Sequence, residues 1–251
     1  MLTIEYDGSN FCGWQRQPDV RTVQGELEKT LSKVCGGQVE LNGTSRTDAG
    51  VHALGQRASF RGEYGIPTDK IMQAANNRLF GGRRIGMRLG DIRIRALEER
   101  SLDFHARFDS KGKKYRYVIQ NRGDAGLFRR NYCYYVQQPL DIRAMRLAAE
   151  QIEGTHDFAC FQSAGGQVRE TTVRTVRSLE ILQDGGDVVI EIAGDGFLYN
   201  MVRIITGTLV EVGLGKKSPE SVKDIILSAD RTMAGHTAPA QGLYLVEVYY
   251  E

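Results

Sequence analysis

The segment from residue 44 to residue 53 places a carboxylate, Asp48, two positions after a guanidinium, Arg46. It reads Thr-Ser-Arg-Thr-Asp-Ala-Gly-Val-His-Ala. Neither charged side chain has an obvious packing task there, so the pair is available for catalysis or binding. The plainer interpretation is that Asp48 caps a turn and Arg46 is a solvated loop charge. An arbitrary Asp-x-Gly sequence favours this plainer interpretation.

The residues around this pair predict a loop held between two strands. Short polar side chains bond to nearby backbone, and Gly50 accepts a positive φ. Apolar alternation precedes the segment at Val39 and Leu41, and a second run of period two follows it at residues 56–60. Loops on a rigid scaffold often carry binding and catalytic groups.

The first half of the chain predicts the order β-α-β-β-α-β, which is ferredoxin-like. Strand-like runs alternate with two amphipathic helices, each with capping or stop residues. The predicted elements are a strand at 2–6, a helix capped by Thr22 and ended by Gly36-Gly37, the strands flanking the Asp48 loop, a helix behind Pro67 capped by Thr68 and stopped by Gly81-Gly82, and a half-exposed strand with Ile85, Met87, Leu89, Ile92 and Ile94.

The second half predicts a longer repeat of the same order. Its elements are strands at 113–120 and 132–138, a helix at 141–153, a hairpin of 173–182 and 188–193, a helix at 197–212, a shorter helix from Ser218-Pro219 to Leu227, and a strand at 243–250. The predicted class is α+β, with two ferredoxin-like halves whose antiparallel sheets lie side by side around a central cleft. The predicted domains are 1–103 and 104–251.

Because the net charge of the chain is small, a polyanionic partner would have to bind to a local cluster of basic residues. The 251-residue chain is 41% hydrophobic and 25% charged, with a formal net charge of only +2. Residues 83–116 contain eleven Arg or Lys and five acidic residues, interleaved with aromatic side chains. This composition suits nucleic-acid binding and suits a solvated sheet edge equally well.

Cysteine usage and hydropathy predict a cytoplasmic protein. The four cysteines form no CxxC pair and no disulfide framework, and no signal-peptide pattern is present. The most apolar segment, 197–214, is interrupted by polar residues, so no membrane span is expected.

Two further patterns are rejected as sites, and one aromatic residue is interpreted as structural. Residues 213–218 lack the spacing of a phosphate loop. His156 and Cys160 have the i, i+4 spacing of a helix face, but this pair alone is not expected to bind a metal. His52, His105 and His236 lie in separate motifs, where a hydrogen-bonding role is favoured for each. Trp14 lies in a loop, where packing is favoured over stacking on a ligand.

Residues 45–53, SRTDAGVHA, resemble the GRTDAGVHA signature of the TruA family of tRNA pseudouridine synthases, in which the Asp is essential. Four more segments match family motifs in the same order along nearly the whole chain: the YDGSNFCGWQ opening, FHARFDSKGKKYRY, GFLYNMVRIITG and GHTAPAQGLYL. Ser45 replaces the family's leading Gly. If that position needs positive φ, Ser45 adds strain on the order of 1 kcal/mol.

The resemblance implies isomerisation of uridine to pseudouridine at positions 38 to 40 of the anticodon stem-loop of tRNA, by a homodimer. The glycosidic bond breaks, the uracil turns, and C5 rejoins C1′, with no metal or organic cofactor. A paired nucleotide must first be flipped out. Asp48 fits attack on the sugar carbon and fits proton removal to a glycal equally well. Five tyrosines in strand-like segments support a dimer: Tyr132, Tyr134, Tyr135, Tyr249 and Tyr250.

The resemblance also implies a role for four residues besides Asp48. Arg203 pairs with Asp48, and Tyr115 stacks on the uracil, with proton transfer as a second role for its hydroxyl. Leu243 lines the pocket, and Arg46 stabilises the flipped nucleotide or occupies its place. The structural alternatives are a solvated Arg203, a cross-strand pairing of Tyr115 and core packing of Leu243.

Two other functions remain open at this point. The chain could be a non-catalytic protein that binds or folds tRNA through the basic residues alone. It could also be a pseudouridine synthase that acts at a different site or on a different RNA.

Overall fold

The computed structural model describes residues 1–80, 90–165 and 170–251, and it has a mixed α+β fold. The chain forms two compact units. The first contains residues 1–111 and 244–251, and the second contains residues 112–243.

The first unit has the predicted ferredoxin-like order. Its elements are β1 (Leu2–Tyr6), α1 (Val23–Cys35), β2 (Asn42–Gly43), β3 (His52–Ser59), α2 (Thr68–Leu79) and β4 (Ile92–Leu97), joined by the end of the chain in β10 (Leu243–Tyr249). β4, β1, β3 and β2 are neighbours in that order, and all three pairings are antiparallel. β10 pairs parallel to β3 at Tyr244 and Leu245, beside the short β2.

Helix α1 begins and ends where the capping residues predict. The Thr22 side chain accepts a hydrogen bond from the Gly25 N–H, and Gly36 ends the helix at φ 73°. Val23, Leu27 and Leu31 are fully buried on one face. α1 therefore buries one face, and its side chains also bond to the segment that precedes the Asp48 loop.

The predicted strand at Val39 and Leu41 is wrong, although both side chains are buried. Only Asn42–Gly43 form a strand, because side chains of α1 take the backbone bonds of the preceding segment. The Glu28 carboxylate accepts from the Leu41 N–H at 2.9 Å, and Gln24 donates to the Leu41 carbonyl at 3.0 Å. The Ser32 hydroxyl also accepts a hydrogen bond from the Val39 N–H, at 2.9 Å. These three side chains of α1 take the place of a neighbouring strand.

Helix α2 differs from the prediction at its start. Thr68 is its first residue, and the cap is Pro67, whose carbonyl accepts from the Lys70 and Ile71 N–H groups. The predicted Gly81-Gly82 stop, together with Ile85, Met87 and Leu89, lies outside the described residues. The remainder of that predicted strand is confirmed as β4, in which Ile92 and Ile94 are buried and alternate with exposed arginines.

The second unit repeats part of the same order. Its elements are β5 (Gly112–Gln120), β6 (Tyr134–Tyr135), α3 (Ile142–Glu150), β7 (Gly154–Asp157), β8 (Val173–Asp184), β9 (Asp187–Gly194), α4 (Met201–Gly213) and α5 (Ser221–Ser228). β5, β9, β8 and β7 are antiparallel neighbours in that order, and β6 pairs parallel to β5. The predicted hairpin is confirmed, with a turn in which Gly185 and Gly186 have φ of 51° and 91°.

Several predicted bounds in this unit are wrong. The strand predicted at 132–138 is reduced to two residues, and the helix predicted at 141–153 ends at Glu150. α4 starts at Met201 because Asn200 has a left-handed backbone, with φ 61°. α5 starts at Ser221, after the predicted Ser218-Pro219. β7 was not predicted, because three of its four residues are exposed and none is a large apolar side chain.

Glu191 in β9 holds two basic residues of β5. It pairs with Lys114 and accepts two hydrogen bonds from the Arg116 guanidinium, at 2.7 and 2.8 Å. The hydrogen bond from Lys114 holds the pKa of the Glu191 carboxyl below its ordinary value. Arg116 acts in the same direction, and burial opposes both. Lys114 and Arg116 are therefore engaged within the unit.

We expect Glu191→Gln to lower the free energy of unfolding by about 1–2 kcal/mol at pH 7. The depressed folded pKa makes this stabilisation present above the unfolded pKa, near 4.3, and it is lost as the pH falls through the folded pKa. Urea unfolding at pH 7 and pH 3 measures the difference, with Glu150→Gln at the exposed end of α3 as control. A difference that is equal at both pH values contradicts the assignment.

Two general features complete the fold. Over the three described ranges, no helix combines the length and hydrophobicity needed to cross a bilayer. All four cysteines are free, and burial raises the pKa of Cys160 to about 12.

Candidate active site

The Asp48 loop, residues 44–51, connects β2 to β3 as predicted. Its side chains alternate in burial. Ser45 and Thr47 are 3% and 7% exposed, whereas Arg46 is exposed and Asp48 is half-buried. The alternation is that of an extended segment, in which successive side chains point to opposite sides. Arg46 and Asp48 therefore lie on the accessible side of the loop.

Two side chains hold the buried side of the loop in place. The amide of Gln56, on β3, donates to the Ser45 carbonyl at 2.7 Å and accepts from the Ser45 N–H at 3.3 Å. The hydroxyls of Tyr6 and Thr47 are hydrogen-bonded at 2.6 Å. The backbone N–H of Trp14 donates to the Thr47 carbonyl at 3.0 Å. Asp48 thus follows a segment with three separate anchors.

The backbone of the loop explains one glycine within it and one glycine that packs against it. Gly50 has φ 79°, in the turn closed by the Val51 N–H and the Asp48 carbonyl at 3.2 Å. Gly13 has φ 87°, and a Cβ there would lie 2.7 Å from the Thr47 carbonyl oxygen. Ser45 is not among the described residues with positive φ, so the strain considered for it does not arise.

Trp14 is confirmed as a packing residue. Its side chain is 1% exposed, and its ring lies 6.1 Å from that of Tyr6. A Cβ on Gly43 would fall 2.3 Å from the indole nitrogen, so the indole packs directly against β2. The Trp-containing loop therefore supports the start of the Asp48 loop.

Tyr115 lies on β5 in the second unit, opposite Ile192 of β9. It is 8% exposed, and its ring meets Phe197 edge-on at 5.3 Å. The neighbouring Tyr117, two residues on, shares its face of the strand. The Tyr117 hydroxyl donates to the Pro239 carbonyl at 2.6 Å, and burial raises the pKa of this hydroxyl, so it remains a donor.

Arg203 links the start of α4 to the segment before β10. Its guanidinium donates to the Ala238 carbonyl at 2.7 Å and to the Asn200 side chain at 2.8 Å. The Ala238 N–H returns a hydrogen bond to the Arg203 carbonyl at 3.1 Å. The surrounding apolar residues of α4 are buried, so Arg203 is not a solvated charge on a polar face.

Leu243 follows the same segment and is 6% exposed. Tyr117 therefore anchors Pro239, Arg203 anchors Ala238, and the chain passes from these anchors through Gly242 into Leu243. A Cβ on Gly242 would lie 2.6 Å from the Tyr117 ring. In the second unit, the segment that leads into Leu243 is thus held by Arg203 and by Tyr117, which shares a strand face with Tyr115. Asp48 and Arg46 belong to the first unit.

The predicted basic patch is engaged in ion pairs at several of its described positions. Besides Lys114 and Arg116, Arg95 pairs with Glu5, and Arg100 pairs with Glu98. Arg83, Arg84 and Arg88 lie outside the described residues. The charge surplus read from the sequence therefore overstates the positive charge available to a ligand.

His156 and Cys160, considered above for metal binding, do not share a helix. His156 lies in β7 with its ring bonded to the Glu153 carbonyl, and Cys160 is buried. Among the described residues, no group of three or more His, Cys, Asp or Glu side chains has an arrangement that could hold a metal ion.

The sequence did not single out Tyr6, Gln56 or Tyr117 as parts of the site. For Gln56 the sequence contains one indication, because the residue alternates with Ala58 on the inward side of the predicted strand. The structure confirms that Gln56 is fully buried. A buried amide needs hydrogen-bond partners, and the adjacent loop is where they are found.

Comparison with known proteins identifies the class. The family model described as tRNA pseudouridine synthase matches residues 2–109 and 148–251. The chain belongs to this family of isomerases, which convert uridine to pseudouridine.

Individual relatives with this name are similar to the chain over nearly its full length. The tRNA pseudouridine synthase A of Ruminiclostridium cellulolyticum is 49% identical over 250 residues, covering 99% of this chain and 98% of the relative. The protein of the same name from Acetivibrio thermocellus is 48% identical, with 99% and 98% covered. That from Brevibacillus brevis is 47% identical, with 98% and 97% covered.

Proposed function

We propose that the chain isomerises uridine to pseudouridine at positions 38, 39 and 40 in the anticodon stem-loop of tRNA, with Asp48 as the catalytic group. The observation that carries the proposal is the loop of residues 44–51. Its buried positions are anchored at Ser45 and Thr47, and its accessible positions present a carboxylate and a guanidinium. The relatives' names specify tRNA as their substrate.

A carboxylate is the group that this reaction requires of the protein. The target uridine has to leave its helix, at a cost of a few kcal/mol, before C1′ becomes accessible. Asp48 then attacks C1′ or removes a sugar proton to give a glycal, and either route frees the uracil to turn. C5 then bonds to C1′ as the Asp48 ester is displaced in the first route, or as the sugar proton is returned in the second. The C5 proton is lost to a base and N1 gains a proton, so the product is an isomer of the substrate. The reaction needs no cofactor, because it transfers no electrons and no external group.

The other four residues serve the substrate in this proposal. Arg46, on the accessible side of the loop, stabilises the flipped nucleotide or takes its place in the stem. The ring of Tyr115 stacks on the uracil, held by its edge-on contact with Phe197. Arg203 on α4 and Leu243, which follows the segment that Arg203 anchors, complete the electrostatic and apolar surroundings of the base.

The remaining part of the proposal is a cytoplasmic homodimer. Leu127 and Phe128 lie on one surface turn with side chains 65% and 90% exposed, and the nearby Tyr132 is 41% exposed. An exposed apolar surface of this kind suits a second copy of the chain. Size measurement by light scattering tests this point, and a monomer at micromolar concentration would reject it.

Pseudouridine mapping in cells tests the substrate and the site together. We expect tRNA from cells lacking the protein to have uridine at positions 38, 39 and 40 where the parent has pseudouridine. Re-expression of the wild-type chain should restore all three positions. Unchanged modification at these positions, or loss of pseudouridine elsewhere, would reject the proposed site.

A further inference from the structure

The Tyr6–Thr47 contact lies one residue away from Asp48, on the buried side of its loop. The two hydroxyl oxygens are 2.6 Å apart, and both residues are nearly inaccessible to solvent, at 3% and 7%. Tyr6 is the last residue of β1, and its backbone is fixed by pairing with Ala53 on β3 and Ile92 on β4. The hydroxyl therefore connects the loop to the central strand of the first unit.

The ring of Tyr6 and its hydroxyl have separable tasks. The ring packs in the core against Trp14, and this contact would remain if the hydroxyl were removed. The hydroxyl extends from that fixed ring to the Thr47 side chain. Because both side chains are buried, neither hydroxyl can rotate freely. Their hydrogen bond therefore restrains the orientation of the Thr47 side chain as well as its distance from Tyr6.

Gln56 makes the second restraint, two residues earlier in the loop. Its side chain is 0% exposed and bonds to both the N–H and the carbonyl of Ser45. Its amide oxygen also accepts from the Arg57 N–H at 3.1 Å. A buried amide is costly unless it is hydrogen-bonded, and this one is bonded at both ends to backbone groups. β2 ends at Gly43, and beyond it the Gln56 side chain connects the loop to β3 through these bonds to Ser45.

We propose that Tyr6 and Gln56 are positioning residues that fix the direction of the Asp48 carboxylate. This inference rests on the proposed catalytic role of Asp48. A displacement of about 1 Å at a reacting group can lower the rate by about 100-fold. A restraint on Thr47 acts on the residue bonded directly to Asp48, so small rotations there would move the carboxylate by a comparable distance.

The test compares Tyr6→Phe, Thr47→Val and their double variant under single-turnover conditions with unmodified tRNA. We expect each single variant to lower the rate constant about tenfold, and the double variant to be no slower than the slower single variant. The dissociation constant for tRNA should stay within twofold. A titration with tRNA at concentrations well above the dissociation constant gives the fraction of protein molecules that bind. Dividing the rate by this fraction corrects it for any unfolded protein.

Thr155→Val is the matched control, because Thr155 forms a hydroxyl–hydroxyl contact of 2.9 Å with Thr175 between β7 and β8. We expect its rate to equal that of the wild type. Gln56→Met, which keeps the length of the side chain and removes both polar atoms, supplies a second variant. It should also lower the rate while leaving tRNA affinity within twofold.

Two results overturn the inference. One is a wild-type rate per binding-competent molecule in Tyr6→Phe and Thr47→Val. The other is a double variant that multiplies the two single effects. If Asp48→Asn also retains the wild-type rate, the proposed catalytic role itself fails, which separates the two conclusions.

Discussion

Asp48→Asn should abolish pseudouridine formation, with a fall in the single-turnover rate on the order of 10⁴-fold or more. The amide keeps the size and hydrogen-bonding shape of the side chain but can neither attack C1′ nor accept a proton effectively. The loop should stay in place, because its anchors act on Ser45 and Thr47. Tritium release from C5-labelled uridine in tRNA measures the rate.

Binding and stability separate this effect from a general defect. We expect the tRNA affinity and the melting temperature of Asp48→Asn to match those of the wild type closely. Asp69→Asn is the control, since Asp69 is an exposed acid in the first turn of α2. Retention of more than a tenth of the wild-type rate by Asp48→Asn would contradict a catalytic role.

Gly207→Ala should have the largest effect on stability. A Cβ at this position of α4 would lie 1.8 Å from the His236 carbonyl oxygen, which is backbone and cannot rotate away. The helix and the segment before β10 must separate, at a cost of about 3 kcal/mol. For a chain of this size, the melting temperature should fall by about 10 °C.

The same change should remove activity by a separate route. Moving residues 235–239 away from α4 breaks the bonds between Arg203 and Ala238, so Arg203 and Leu243 lose their fixed positions. Gly37→Ala is the control, because nothing lies within 4 Å of the added carbon. A melting temperature of Gly207→Ala within 2 °C of the wild type would show that the helix and the segment are not in firm contact.

The sequence predicts the elements that follow simple periodicity. α1 begins after Thr22 and ends at Gly36, because the cap and the positive φ are local properties of those residues. The β8–β9 hairpin follows from alternation around a Gly-Gly turn. The loop containing Asp48 follows from its polar residues between two apolar runs.

Other parts could not be predicted because side chains distant in sequence decide them. Val39 and Leu41 alternate like a strand, but Glu28 and Gln24 bond to their segment instead of a second strand. The start of α4 depends on the left-handed backbone of Asn200, whose amide accepts from Arg203. The capping hydroxyl expected of Thr68 is not used, since Pro67 already presents a carbonyl to the first turn.

The residues of the candidate site also fall into those that the sequence indicates and those that it does not. Asp48 and Arg46 stand out because charged residues in a short polar loop have no packing task. Tyr115, Arg203 and Leu243 came from the resemblance alone, and their own positions in a strand and a helix would favour structural roles. Gln56 and Tyr6 were missed because their importance lies in contacts with Ser45 and Thr47 that no local pattern encodes.

Nucleotide-resolution mapping of pseudouridine in an unmodified tRNA, after incubation with the purified chain, tests the central claim most directly. A tRNA transcript with uridine at positions 38, 39 and 40 should gain pseudouridine at all three without added metal or cofactor, and gain none with Asp48→Asn. Absence of product at these positions with the wild-type chain, or equal product with Asp48→Asn, would contradict the account.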